Sequence, residues 1–206
     1  MRTQSPENPV AQDDSATGLA RQVGQRAENL FRTRQVWCSG AVLLALNEAL
    51  GGGLTEPQAI RAASGLGHGM GGSGCACGAL TGAVVGLGCV LGHGRPALRG
   101  DGRVLQAARE MHECFAAEFG AACCRILTRG LQQGSTAQFD ACARRTGRTA
   151  ELAARIALEH RPTLASRRGG AGAPRRDSTL RAWLKIAASR LGLRRFRERR
   201  DGGSRP

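Results

Sequence analysis

Residues 72–92 read GSGCACGALTGAVVGLGCVLG, and how this stretch folds decides the architecture of the chain. It is apolar and laden with glycine, and its only hydroxyls are Ser73 and Thr81. As a membrane span it is too short, because Cys75 to Leu91 is 17 residues where about 20 are needed. His93 and Arg95 follow at once. Gly78, Gly82 and Gly86 recur every fourth residue, a small-residue spacing used by membrane helix pairs and equally by soluble helices that pack backbone to backbone. Each glycine costs about 1 kcal/mol of helix propensity relative to alanine, so the helix needs strong tertiary contact along that face. The stretch therefore reads as a buried helix of a soluble protein, with two thiols, Cys75 and Cys77, at its N-terminal mouth.

The rest of the composition agrees with a helical core. The 206 residues suffice for one domain with appendages. Apolar residues make up 41%, but aromatics only 3%, and tyrosine is absent, so Leu, Ala, Val and Gly must fill the interior of closely packed helices. Strand signals are poor. The expected fold is all-α: a compact multi-helix domain with a disordered N-terminus and a basic C-terminal tail.

Along the chain, residues 1–15 are polar and read as disordered, and 16–160 as the helical body. A helical pattern runs from Ala16 through Leu19, Val23, Ala27, Leu30 and Phe31, and a second apolar helix covers Trp37 to Leu50 before Gly51. Thr55 caps a short helix with Pro57 in its first turn. The loop from Gly65 to Gly74 holds six glycines with His68 and Met70, too flexible to be regular unless something anchors it, and a bound cofactor is one such anchor. After the helix at 75–91 come helices at 103–119, 122–129 and 139–160. Residues 161–206 form an Arg/Gly-rich linker followed by a basic amphipathic helix with Leu180, Trp183, Leu184, Ala187 and Leu191 on one face.

The net charge of +14 is concentrated in that tail. From Arg161 onward there are 14 basic against 3 acidic residues, a balance of +11, while residues 1–160 balance at +3. All basic residues but Lys185 are arginine, a skew that fits codon bias as well as phosphate binding. With only Trp183 and Phe196 as tail aromatics, base stacking has little support, so no specific nucleic acid is expected. The alternative function is a non-enzymatic binding module whose basic C-terminal helix docks on anionic membrane, as a peripheral contact of residues 178–200, or on nucleic acid.

Eight cysteines are more than packing needs. The N-terminus has no apolar signal-peptide core, so a cytoplasmic, reducing compartment is expected, where clustered thiols serve metals or redox chemistry more often than structural disulfides. No CxxC pair, CxxCH, P-loop or catalytic triad is present, which removes thioredoxin-type sites, paired zinc ribbons, covalent haem and nucleotide chemistry. None of His68, His93, His112 and His160 has a helical ligand partner at i+3 or i+4. Cys89 and Cys114 lie deep in apolar helical patterns and read as packing residues. A helix N-terminus favours the thiolate, which makes Cys75 and Cys77 candidates for chemistry.

The run Cys77-Gly-Ala-Leu-Thr-Gly82 resembles the CGAxxG signature of the C_GCAxxG_C_C family, helical redox-active proteins marked by four cysteines. Three further elements arrive in the same order: Cys38 in CSGAVLLAL, Cys124 in FGAACCRIL, and Cys142, which opens the last body helix. The resemblance covers about residues 20–160. It implies that Cys38, Cys77, Cys124 and Cys142 converge on one site for electron transfer or thiol redox with a redox partner protein. Four thiolates from four helix starts suit an iron–sulfur cluster, or less well zinc; the alternative is a cofactor-free dithiol with Cys77 as the low-pKa attacker. The chain departs from the pattern in carrying Cys75, Cys89, Cys114 and Cys123 as well, which leaves open whether Cys123 or Cys124 faces the site.

Overall fold

A computed structural model describes residues 9–94, 101–165 and 177–190 of the chain. Among the described residues every regular element is helical, as the composition predicts: α1 (Pro9–Arg32), α2 (Cys38–Leu50), α3 (Glu56–Ala63), the short α4 (Gly67–Met70), α5 (Gly78–Leu91), α6 (Gly102–Phe119), the single turn α7 (Cys124–Leu127), α8 (Thr136–His160) and α9 (Thr179–Arg190).

The helix boundaries follow local chemistry. Helix α2 stops at Gly51, which adopts the left-handed φ of 71° that a Cβ disfavours, while its N–H bonds the Asn47 carbonyl. Thr55 and Gln58 form a reciprocal capping box before α3, and Asp101 and Ser135 accept N–H bonds from Arg103 and Gln138 at the starts of α6 and α8. Helix α1 begins at Pro9, inside the segment expected to be disordered. Proline's fixed φ suits a first helical position, and polarity alone does not forbid a surface helix.

Helices α1, α2, α5 and α8 pack against one another, and α6 covers α5 and α8. Val23, Val42, Leu46, Leu87, Met111 and Phe115 are fully buried between them. With so few aromatics, the bundle closes by bringing backbones together. A Cβ on Gly24 of α1 would stand 2.9 Å from the Gly147 carbonyl oxygen of α8, and one on Gly86 of α5 would stand 2.6 Å from Leu46 Cδ1 of α2. The glycine stripe of the 72–92 stretch thus faces α2, and α5 is a buried helix of the domain. Among the described residues no helix is long and apolar enough to cross a membrane.

The start of the tail joins the body. Asp177, within the 161–206 segment expected as a separate appendage, is buried. Its carboxylate accepts from Arg26 Nη1 at 3.1 Å and Gln35 Nε2 at 3.2 Å, and its backbone exchanges two hydrogen bonds with the Asn29 amide. Arg26 also pairs with Glu48, so a buried guanidinium is matched by two carboxylates. Ser178 Oγ then accepts the Arg181 N–H at the start of α9, leaving Leu180, Trp183 and Leu184 exposed. The rest of the linker, and Leu191 and Phe196, lie outside the described residues.

Candidate functional site: a ring of four thiols

Three of the four cysteines singled out by sequence sit at helix starts. Cys38 is the first residue of α2, Cys77 is the residue before α5, and Cys124 is the first residue of α7. Cys142 does not open its helix: α8 begins at Thr136, capped by Ser135, which places Cys142 in the second turn. All four remain thiols; Cys77 is buried and the other three are half-buried.

Close backbone contact brings them together. Gly78 follows Cys77, and a Cβ on it would stand 2.5 Å from Cys38 Sγ and 2.8 Å from the Leu66 carbonyl oxygen. Only glycine lets the Cys38 thiol sit over the first turn of α5. On the other flank the Cys77 N–H donates to the Ala122 carbonyl at 2.8 Å, and the Arg125 N–H to the Gly74 carbonyl at 2.9 Å. These two bonds clamp the entrance of α5 to the entrance of α7.

The thiols lie near enough to feel one another's charge. Cys38 interacts electrostatically with Cys77 and Cys142, Cys77 with Cys124, and Cys142 with Cys124, so the four form a closed ring. Burial is the main influence on each resolved titration. It pushes the Cys38 thiol up to about 12, with Cys77 and Cys142 adding to the rise and the N–H groups of Ser39 and His68 opposing it. Burial also pushes Cys77 up, against the N–H groups of Ala79 and Leu80 and the Arg145 charge. The expectation of Cys77 as a low-pKa thiol is therefore corrected: its helix N-terminus does lower the pKa, but loss of solvent outweighs it. Cys142 is likewise raised by burial and lowered by Arg145.

Arg145 is a site residue that the sequence reading missed, although its place three residues after Cys142 puts the two on one face of α8. Its Nη2 donates to the Leu127 carbonyl at 3.1 Å and its guanidinium lies over the Phe119 ring. Among the described residues its buried Nε finds no hydrogen-bond partner. A fixed positive charge thus borders the ring of thiols.

The remaining cysteines divide. Cys75 and Cys123 form a disulfide with Cα atoms 4.4 Å apart. The clamped backbones on either side hold the two residues within bridging distance. Of the vicinal pair, Cys123 turns to Cys75, and Cys124 remains a thiol. Cys89 on α5 is a half-buried thiol and Cys114 on α6 an exposed one, which corrects the reading of Cys114 as a packing residue: α6 covers the bundle with its Ala107, Met111 and Phe115 face and turns Cys114 outward.

The glycine-rich loop is anchored by contacts within the protein. A Cβ on Gly67 would stand 3.2 Å from the Trp37 ring, and one on Gly69 would stand 2.9 Å from Cys124 Cβ. Ser73 Oγ donates to the Gly69 carbonyl at 2.7 Å. The His68 ring lies edge-on to Trp37, and His160 pairs with Glu110 at 2.7 Å. A cleft of about 470 Å³ is lined by Phe31, Arg34, Val36, Trp37, Ile60 and Phe139 among others.

The model of one protein family, described as "Putative redox-active protein (C_GCAxxG_C_C)", matches residues 36–156. The match takes in all eight cysteines and stops short of α9. No curated protein and no solved structure matches the chain.

Proposed function

The chain belongs to the C_GCAxxG_C_C family of redox-active proteins, and from that membership we propose that it performs two-electron thiol–disulfide redox, with Cys124 as the attacking thiol and Cys77 as the resolving one. The observation that carries this reading is the close packing of the cysteine-bearing segments: Cys38 Sγ lies against Gly78, the residue after Cys77, and the Cys77 N–H to Ala122 and Arg125 N–H to Gly74 bonds tie the entrance of α5 to that of α7, where Cys124 sits. Attack falls to Cys124 because Cys77 is only 5% exposed and burial disfavours its thiolate, whereas Cys124 is half-buried and reachable. The Cys124 thiolate displaces one sulfur of a partner's disulfide. Cys77, losing its proton, then attacks Cys124 Sγ and releases the partner's second sulfur. The chain gains a Cys77–Cys124 disulfide, and the partner gains two electrons and two protons.

An iron–sulfur cluster draws support from the chemistry of the donor set, four thiols. Their placement does not match it: among the described residues, no three His, Cys, Asp or Glu side chains are gathered so that they could hold a metal ion. The residues as placed do not fit the cluster.

The test is to purify the full chain anaerobically, reduce it, and oxidise it with one equivalent of glutathione disulfide. Alkylation and peptide mapping then locate the bridges, alongside an absorption spectrum and iron and zinc analysis. A Cys77–Cys124 bridge in metal-free protein is the expected result. Stoichiometric iron with visible absorption, and ring thiols that resist oxidation, would overturn it.

A further inference from the structure

Cys75 and Cys123 lie outside the four-cysteine pattern, yet each is a near neighbour of a ring thiol in the chain: Cys75 two residues before Cys77, Cys123 directly before Cys124. Both are half-buried, whereas Cys77 is buried. Gly69 shows how near the two sets come in space, because a Cβ built there would stand 2.8 Å from the Cys75 nitrogen and 2.9 Å from Cys124 Cβ. Cys75 and Cys124 border the same point, an approach that the lack of a side chain at Gly69 permits. The hydrogen bonds Cys77–Ala122 and Arg125–Gly74 join the same two segments that the disulfide links.

We infer that the Cys75–Cys123 disulfide is a second redox site in series with the thiol ring, exchanging two electrons with Cys77 and Cys124 inside the same molecule. This inference rests on the thiol–disulfide reading of the ring. The Cys124 thiolate attacks Cys75 Sγ; the Cys75–Cys123 bond breaks, a Cys75–Cys124 bond forms, and Cys123 leaves as a thiolate that takes up the proton Cys124 gave up. Cys77 then loses its proton and attacks Cys124 Sγ. A Cys77–Cys124 bond forms, and Cys75 leaves and is protonated. One disulfide and one dithiol are consumed and one of each is made, so the exchange needs no outside oxidant or reductant. Its outcome is to carry a dithiol from Cys77 and Cys124, of which Cys77 is buried, to the pair Cys75 and Cys123, both half-buried, which gives the disulfide of a partner protein a second point of exchange.

Trapping the intermediate tests this in the full chain. Reduced protein is oxidised with one equivalent of glutathione disulfide, quenched by alkylation over a time course, and mapped. In Cys77→Ser the second step is lost, so the Cys75–Cys124 bridge should accumulate beside Cys75–Cys123; in Cys124→Ser, Cys75–Cys123 should form alone. Since serine at the buried position 77 can disturb folding, Cys77→Ala is mapped in parallel and both are checked by thermal unfolding. Absence of Cys75–Cys124 from both position-77 variants, while Cys75–Cys123 forms normally, overturns the inference. The double variant Cys75→Ser/Cys123→Ser separates this from the parent reading. If it still closes Cys77–Cys124, the ring's own redox chemistry stands even where the exchange fails; if it folds and does not, the ring reading falls first.

Discussion

Gly82 of α5 meets Ser39 of α2 with no room for a side chain: a Cβ on Gly82 would stand 2.8 Å from Ser39 Cα and 2.9 Å from its carbonyl carbon. Ser39 follows Cys38, and Gly82 lies just over one turn from Cys77, so this contact sets the distance between two ring thiols. Backbone cannot yield as a flexible side chain can. Gly82→Ala should therefore cost about 1–3 kcal/mol or more of unfolding free energy through overpacking. Gly88 on the same helix is the control. Its nearest neighbour would be Val104 Cγ1 at 4.0 Å, so Gly88→Ala should be neutral or gain up to about 1 kcal/mol from helix propensity. Urea unfolding of both variants measures the difference.

Cys77 and Cys89 share α5 and its entrance but not the site. Replacing Cys77 with Ser should remove the oxidation-induced bridge within the ring, whereas Cys89→Ser should keep it. Bridge mapping after glutathione oxidation reads both. Equal loss in the two variants would place the site elsewhere.

Burial holds the Cys38 thiol at about 12 against an ordinary 9.0. The folded state therefore keeps its proton where the unfolded chain has lost it, and the linkage sign is negative. Stability should be unaffected by this group below pH 9 and should fall as pH rises from about 9 toward about 12. Unfolding measured across that range in wild type and Cys38→Ala should show a shallower decline in the variant. An identical slope would mean that Cys38 titrates as it does in water.

The Arg145 charge lowers the Cys142 thiol against the upward push of burial. Arg145→Met keeps much of the side chain's length without the charge, so the pH midpoint for alkylation of Cys142 should move upward. An unmoved midpoint would show that Arg145 only packs on Phe119.

Asp177 ties the tail to α1 through Arg26, Asn29 and Gln35. Asp177→Ala should cost about 1–3 kcal/mol, the range for leaving a buried hydrogen-bonding partner unsatisfied, with Glu48 keeping Arg26 paired. Cleavage of α9 by trypsin should also accelerate. Unchanged stability and cleavage would mean that the anchor contributes nothing net.

The sequence alone determined the helical class, the glycine face of the 72–92 stretch and most helix boundaries, and it carries the cysteines of the family motif in order. Those features are local: periodicity, caps and a motif fix which residues face inward. Three matters were decided only by tertiary structure. The Cys75–Cys123 bridge, which leaves Cys124 the thiol of the vicinal pair, depends on two backbone hydrogen bonds between segments nearly fifty residues apart, and the CC pair offers no local preference. Arg145 enters the site because α8 turns that face toward α5 and α7. The titration of Cys77 reverses the expectation from its helix position because desolvation comes from the whole fold closing over the thiol, and no window of sequence contains it.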